Sequence, residues 1–139
     1  MSTVELYSCH HDGDVAGGGQ LVHSGEQFVL PEPIRDALVA ATADVLYVVW
    51  TDLRRVISLN VERRIFRRLA DLCRPHVLGG TTVLAGRVYM TGGTDAGEAD
   101  DCSASNTVEV YDAEADRWNE VTPMAQCRSG HGCVTIRMR

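Results

Sequence analysis

No apolar run in this chain approaches the ~18 or more residues that a membrane-spanning helix needs, although 45% of its 139 residues are hydrophobic. Met1-Ser-Thr-Val-Glu offers neither a basic start nor an apolar core, so secretion is not indicated. A basic excess is missing too: the net charge of -6 argues against a nucleic-acid partner, whose binders normally carry positive charge. The five cysteines are odd in number and irregularly spaced, which fits reduced thiols in cytosol or nucleus better than a disulfide framework. Gly-x-Ser-x-Gly, a phosphate-binding glycine loop and His-Glu-x-x-His are all absent. The chain therefore reads as a globular, non-enzymatic protein with no cofactor.

What is present is an ordered set of motif residues. The strand-like stretch Arg87-Val-Tyr-Met-Thr closes on Gly92-Gly93; then come Val108-Glu-Val-Tyr-Asp, Trp118 six residues after Asp112, Met124 and Arg128. Gly92 and Gly93 suit a strand end that needs positive φ or a close backbone approach. Val108 and Val110 alternate with Glu109, the period of a half-buried strand. Tyr111 and Trp118 are large rings with a polar handle for a backbone acceptor, and Asp112 with the residues up to Arg117 supplies turn chemistry. In this order the set resembles one complete kelch repeat, the four-stranded blade of a β-propeller. Such a blade buries its sheet only against neighbouring blades.

A second, degraded copy lies upstream. A shift of 52 residues lays Val56 on Val108, Leu59 on Tyr111, Asn60 on Asp112, Phe66 on Trp118, Leu72 on Met124 and Gly80 on Gly132. That period is close to the ~50 residues of kelch repeats. Val45-Leu-Tyr-Val-Val-Trp50 matches Arg87–Gly92 at a shift of 42, which places a ten-residue insertion between the second and third strands of the later copy. The earlier copy departs from the pattern: Trp50-Thr51 stands for the double glycine, and Leu59 and Phe66 stand for Tyr and Trp.

The resemblance implies an all-β fold: an incomplete propeller of about two four-stranded blades plus the first strand of a third. Residues 1–35 are expected as leader and linker, or the end of a preceding helical domain, with little regular structure in the Gly- and His-rich first 24. A degenerate blade is expected over 36–75, with strands near 37–42, 45–50, 55–60 and 65–69. A second is expected over 76–125, with strands near 81–85, 87–91, 107–111 and 117–121. Residues 126–139 would start a third, with a strand at 131–137. Ile34 to Ala41 is good helix material by propensity, but the repeat alignment prefers a strand there.

Three clusters could bind something. The 94–107 insertion carries Asp95, Glu98, Asp100 and Asp101 with no basic residue. It would lie on a propeller rim, either as a contact for a basic peptide or protein or as a solvated insertion. Arg54, Arg55, Arg63, Arg64, Arg67 and Arg68 could hold phosphate or an acidic peptide, but charge flanking outer strands also blunts sheet edges, and that is the preferred reading. Cys127, His131 and Cys133, like Cys9-His10-His11, lack the tight pair and fourth ligand of a zinc site. No metal is expected, and Cys73, Cys127 and Cys133 read as small packing residues.

Full-length relatives of the BTB-kelch type act as substrate adaptors of cullin-RING ubiquitin ligases. By that resemblance, this chain is expected to be a fragment or short form holding the part that grips a protein target, in cytosol or nucleus. Cullin would be reached only through a BTB domain, which this sequence does not contain. The alternative implied by other kelch proteins is an actin-associated role.

Overall fold

The computed structural model describes residues 3–10, 20–31, 37–95 and 103–136, and for 3–10 and 20–27 the backbone course only. Among the described residues there are ten strands and no helix. The chain divides into two units, 1–34 and 35–139.

The first unit corrects the expected irregular leader. Strand β1 (Thr3–His10) pairs antiparallel with β2 (Gln20–Val29), with an irregularity between Glu5 and Tyr7. The alternation Val4-Glu5-Leu6 is the strand signal that the glycine-rich composition obscured. Gly17, Gly18 and Gly19 and His11 lie outside the described residues, as do the side chains of Cys9 and His10.

The second unit holds two four-stranded antiparallel sheets, each a meander in chain order. Blade one is β3 (Ala37–Ala41), β4 (Val45–Trp50), β5 (Arg55–Asn60) and β6 (Ile65–Arg68). Blade two is β7 (Gly80–Leu84), β8 (Arg87–Thr91), β9 (Val108–Asp112) and β10 (Arg117–Val121). Strand wins over helix propensity in β3 because all five residues pair with β4, from Ala37 opposite Trp50 to Ala41 opposite Leu46. Residues 32–36, including Pro33 and Ile34, lie outside the described residues.

The repeat is visible in the register. Tyr111 stands opposite Trp118 in blade two, and Leu59 stands opposite Phe66 in blade one. The turn after each third strand is built alike: Asp112 Oδ1 accepts the N–H of Glu114 and Ala115, while Asn60 Oδ1 accepts that of Arg63. Each turn then takes a left-handed residue at the same repeat position, Arg64 (φ 56°) and Asp116 (φ 45°).

The core sits between the blades. Val49 and Val56 of blade one and Leu69 and Leu72 of the connection pack with Val88, Met90, Tyr111 and Trp118 of blade two. The Tyr111 ring meets Tyr47 edge-on at 6.2 Å and Trp118 at 5.3 Å. Trp118 Nε1–H donates to the Ala70 carbonyl (3.1 Å), the expected backbone acceptor. Tyr111 differs, because its hydroxyl donates to the Asp116 carboxylate (2.7 Å), which also accepts the Ala70 N–H (3.0 Å). Burial, then the hydrogen bond to Asp116 and its charge, push the Tyr111 phenol up, and the same hydrogen bond, with the one from Ala70, holds Asp116 below its ordinary value.

Residues 131–136 form no strand ladder. They run along β7 through side chains: Thr135 Oγ1 donates to the Val83 carbonyl and meets Thr82 Oγ1, and His131 Nε2 meets Thr91 Oγ1 at 2.9 Å. A blade's first strand is paired by the strand that follows it in its own blade, and the described residues end at 136 without one.

Candidate functional site

Antiparallel meanders put the connection between second and third strands on the same rim as the one leading into the next blade. On that rim lie the blade-one turn 51–54, the connection 69–79, the loop 92–107 and the segment 122–130. The stem of the 92–107 loop is tied on three sides. Gly92 N–H donates to Thr107 O, Ser105 N–H to Gly93 O, and Gly93 N–H to Arg128 O. Arg128 N–H donates in turn to Ser105 O, Met124 N–H to Asn106 O, and Val77 bridges Thr94. Asn106 Nδ2 closes the set on the Met124 carbonyl (3.1 Å).

This explains the glycines. Gly92 (φ 59°) and Gly93 (φ 89°) are left-handed, and a Cβ on Gly92 would collide with the Arg128 carbonyl. Arg128 contributes its backbone to the motif, while Met124 reaches Gly92 with its methyl end. Blade one needs no glycine pair, because its short turn crosses to the third strand with Arg54 as the left-handed residue (φ 57°), leaving Trp50 and Thr51 buried. One bond is shared by both blades: Leu72 N–H donates to Arg54 O as Met124 N–H does to Asn106 O, 52 residues later.

Of the acidic set, Asp95 is exposed beside the stem and adds to the field around Arg74. Glu98, Asp100 and Asp101 lie outside the described residues. Arg74 is held by Glu120 at 2.7 Å, a pairing that raises its affinity for its proton.

The arginines do not converge. Arg54 and Arg55 sit on this rim, Arg63 and Arg64 on the opposite one, and Arg67 and Arg68 on the outer strand β6. Arg54 donates to Cys73 O, Arg68 pairs with Asp71 at 2.9 Å, and Arg67 lies 3.8 Å from Asp116. The cysteine reading also changes: Cys73 and Cys127 are exposed and Cys133 is half-buried, since all three fall in connections rather than strands. Burial and the nearby Glu109 charge nonetheless push the Cys73 thiol up.

Sequence reasoning missed the pair Glu109 and His76. Read as the outward residue of a half-buried strand, Glu109 is 0% exposed, as is His76. Both faces of β9 are covered, so alternation reports side-chain direction and not solvent. The carboxylate accepts the N–H of Cys73 (2.8 Å) and Arg74 (2.9 Å) and meets His76 Nε2 at 3.0 Å. His76 Nδ1–H donates to the Gly92 carbonyl at 2.6 Å, so the ring bridges that carbonyl and the Glu109 carboxylate. Burial by itself would raise the Glu109 carboxyl, but the hydrogen bonds from His76, Cys73 and Arg74 together hold it below its ordinary value. The available signal was the repeat: the 52-residue shift puts His76 where Arg128 stands.

Residues 75–125 match the family model described as the Kelch motif. Kelch-like protein 21 of Danio rerio is 29% identical over 92 residues, 66% of this chain and 14% of that protein. Kelch-like protein 35 of Mus musculus is 29% identical over 109 residues, 76% of this chain and 18% of that protein. Residues 75–125 thus carry a kelch motif, and the chain is similar to kelch-like proteins over most of its length. Human Kelch-like protein 23 shares 39% identity over 57 residues, 41% of this chain and 10% of its own length. The chain spans under a fifth of the length of these curated relatives. The solved structure titled "Structure of YjhT" superposes with a TM-score of 0.61 at 18% identity, over 73% of this chain and 31% of that one, a likeness of fold.

Proposed function

We propose that this kelch domain is a non-enzymatic protein-recognition element, the target-gripping part of a BTB-kelch adaptor for a cullin-RING ubiquitin ligase. The observation that carries the reading is the tied stem of the 92–107 loop: backbone bonds from the connection, the double glycine and the 122–130 segment hold its two ends. A loop on a rigid base is a common recognition device. Asp95 stands on it, and Glu98, Asp100 and Asp101 follow with no basic residue between, a composition that suits a basic segment of a target protein. Kinship with kelch-like proteins supports the adaptor role, with cullin reached through a BTB domain.

The test replaces Asp95, Glu98, Asp100 and Asp101 by Asn and Gln in the full-length protein. Captured target should fall, cullin co-purification should persist, and stability should stay within ~0.5 kcal/mol, as for ordinary surface changes. Unchanged capture would leave the loop a passive insertion. Cosedimentation with filamentous actin in place of cullin capture would favour the cytoskeletal reading.

A further inference from the structure

Backbone conformation and side-chain chemistry disagree at one place on the loop rim. His76 to Gly79 make a tight turn, closed by the Gly79 N–H on the His76 carbonyl (2.8 Å), and Leu78 stands third in it with φ 57°. A left-handed residue at that place is ordinarily glycine or asparagine, because a larger side chain crowds the following carbonyl oxygen. The repeat agrees: 52 residues later the same position is Gly130, with φ 64°. Arg54, Arg64, Ala85 and Asp116 are also left-handed, but they are charged or small. Among the described residues, Leu78 is the left-handed position that carries a large apolar side chain.

Packing does not offset the backbone cost. Leu78 is 63% exposed, although His76 before it and Gly79 and Gly80 after it are buried. The turn is nevertheless held from three directions. His76 N–H donates to Thr51 O, Val77 bridges Thr94, and Leu78 O accepts the Gly130 N–H at 2.7 Å. A single exposed leucine is ordinary on a protein surface. One kept on a fixed turn in a costly conformation is not accounted for by folding, and such positions cluster where proteins bind. Two neighbours on the rim share its exposure. Leu53, in the 51–54 turn, is 54% exposed. Asp95 follows the bridged Thr94 and has no hydrogen bond or ion pair among the described residues. The cations Arg54 and Arg74 are already engaged, by Cys73 O and by Glu120.

We infer that Leu78 is the apolar anchor of the recognition rim, and that it takes an extended segment of the target protein in which an apolar side chain stands next to a lysine or arginine. The inference rests on the recognition reading above and names the residue that selects the target. The antiparallel bridge between Val77 and Thr94 keeps Leu78 and Asp95 within a residue of the same backbone contact, so one short segment reaches both. An acidic segment would set like charges together at Asp95, and that juxtaposition suppresses wrong partners. The turn is fixed before contact, so binding has little left to order there.

The test titrates the full-length protein with synthetic peptide pools, read by fluorescence anisotropy. One pool places Lys or Arg next to an apolar residue, one places Lys or Arg next to Ser or Asn, and one places Asp or Glu next to an apolar residue. The basic–apolar pool should bind best. Leu78→Asn keeps a residue that tolerates the left-handed turn and removes the apolar body. It should weaken that pool by roughly tenfold or more, the scale of losing one buried leucine side chain, without lowering the urea midpoint. Leu78→Met should keep the affinity. Unchanged affinity in Leu78→Asn overturns the proposal, and so does a lowered urea midpoint, which would make Leu78 a folding residue. Loss of binding on changing Asp95, Glu98, Asp100 and Asp101, with Leu78→Asn unaffected, overturns the anchor and leaves the recognition reading standing. A basic–apolar pool that binds the unaltered protein no better than the other pools overturns both.

Discussion

Trp118 joins the two blades by ring packing, by its place opposite Tyr111 and by its bond to Ala70 O, so its loss acts in three ways at once. Trp118→Ala should cost on the order of 3–5 kcal/mol, the range for large aromatic truncations in a core, read as a fall in urea midpoint. Trp118→Phe keeps a ring and loses the N–H, and should cost less. Glu109 is the second such residue. Its carboxyl is held below the ordinary 4.5, so the unfolded chain binds its proton more readily than the folded one. Its contribution is therefore complete above pH 4.5 and is lost as pH falls through the lower folded value. Glu109→Gln should be clearly less stable at neutral pH, and the gap should close as the medium is acidified below that point. A gap that stays constant from pH 7 to pH 3 would show that the carboxylate is not what the His76, Cys73 and Arg74 donors require.

At the scale of elements, two glycines separate two physical effects. Gly86 is left-handed (φ 74°) with nothing near its missing Cβ, so Gly86→Ala carries only the backbone cost of about 1–2 kcal/mol. Gly92 adds the collision with the Arg128 carbonyl, so Gly92→Ala should destabilise more and should speed amide exchange at Gly93 and Ser105, which form the loop stem. Equal losses in the two variants would argue that the stem adapts freely. The eight strands of the blades were legible to within a residue or so, because turn residues and hydrophobic period agree there at both repeat positions. The β1–β2 hairpin was not, because glycine-rich composition outweighed a short alternation. The exposed cysteines were not legible either, since thiol burial depends on which connection each falls in.

For the whole molecule, the uncovered side of blade two sets behaviour. The 139-residue chain by itself exposes Leu84, Val134 and Ile136 around an open cleft, and sheet edges of this kind associate. Sedimentation should show self-association, and heating a shallow transition. A monodisperse monomer with a sharp two-state melt would mean that this side needs no cover. The amino-acid order by itself determined the repeat, its 52-residue spacing, the strands of both blades and the ring pair Tyr111 and Trp118, because each is written locally as period, turn residue and interval. Only the tertiary structure decided that Glu109 is buried against His76, that the six arginines divide between two rims and an outer strand, and that Cys73 and Cys127 are exposed. Those facts depend on which surfaces the blades bring together, and a strand's own pattern reports the direction of its side chains without reporting what covers them.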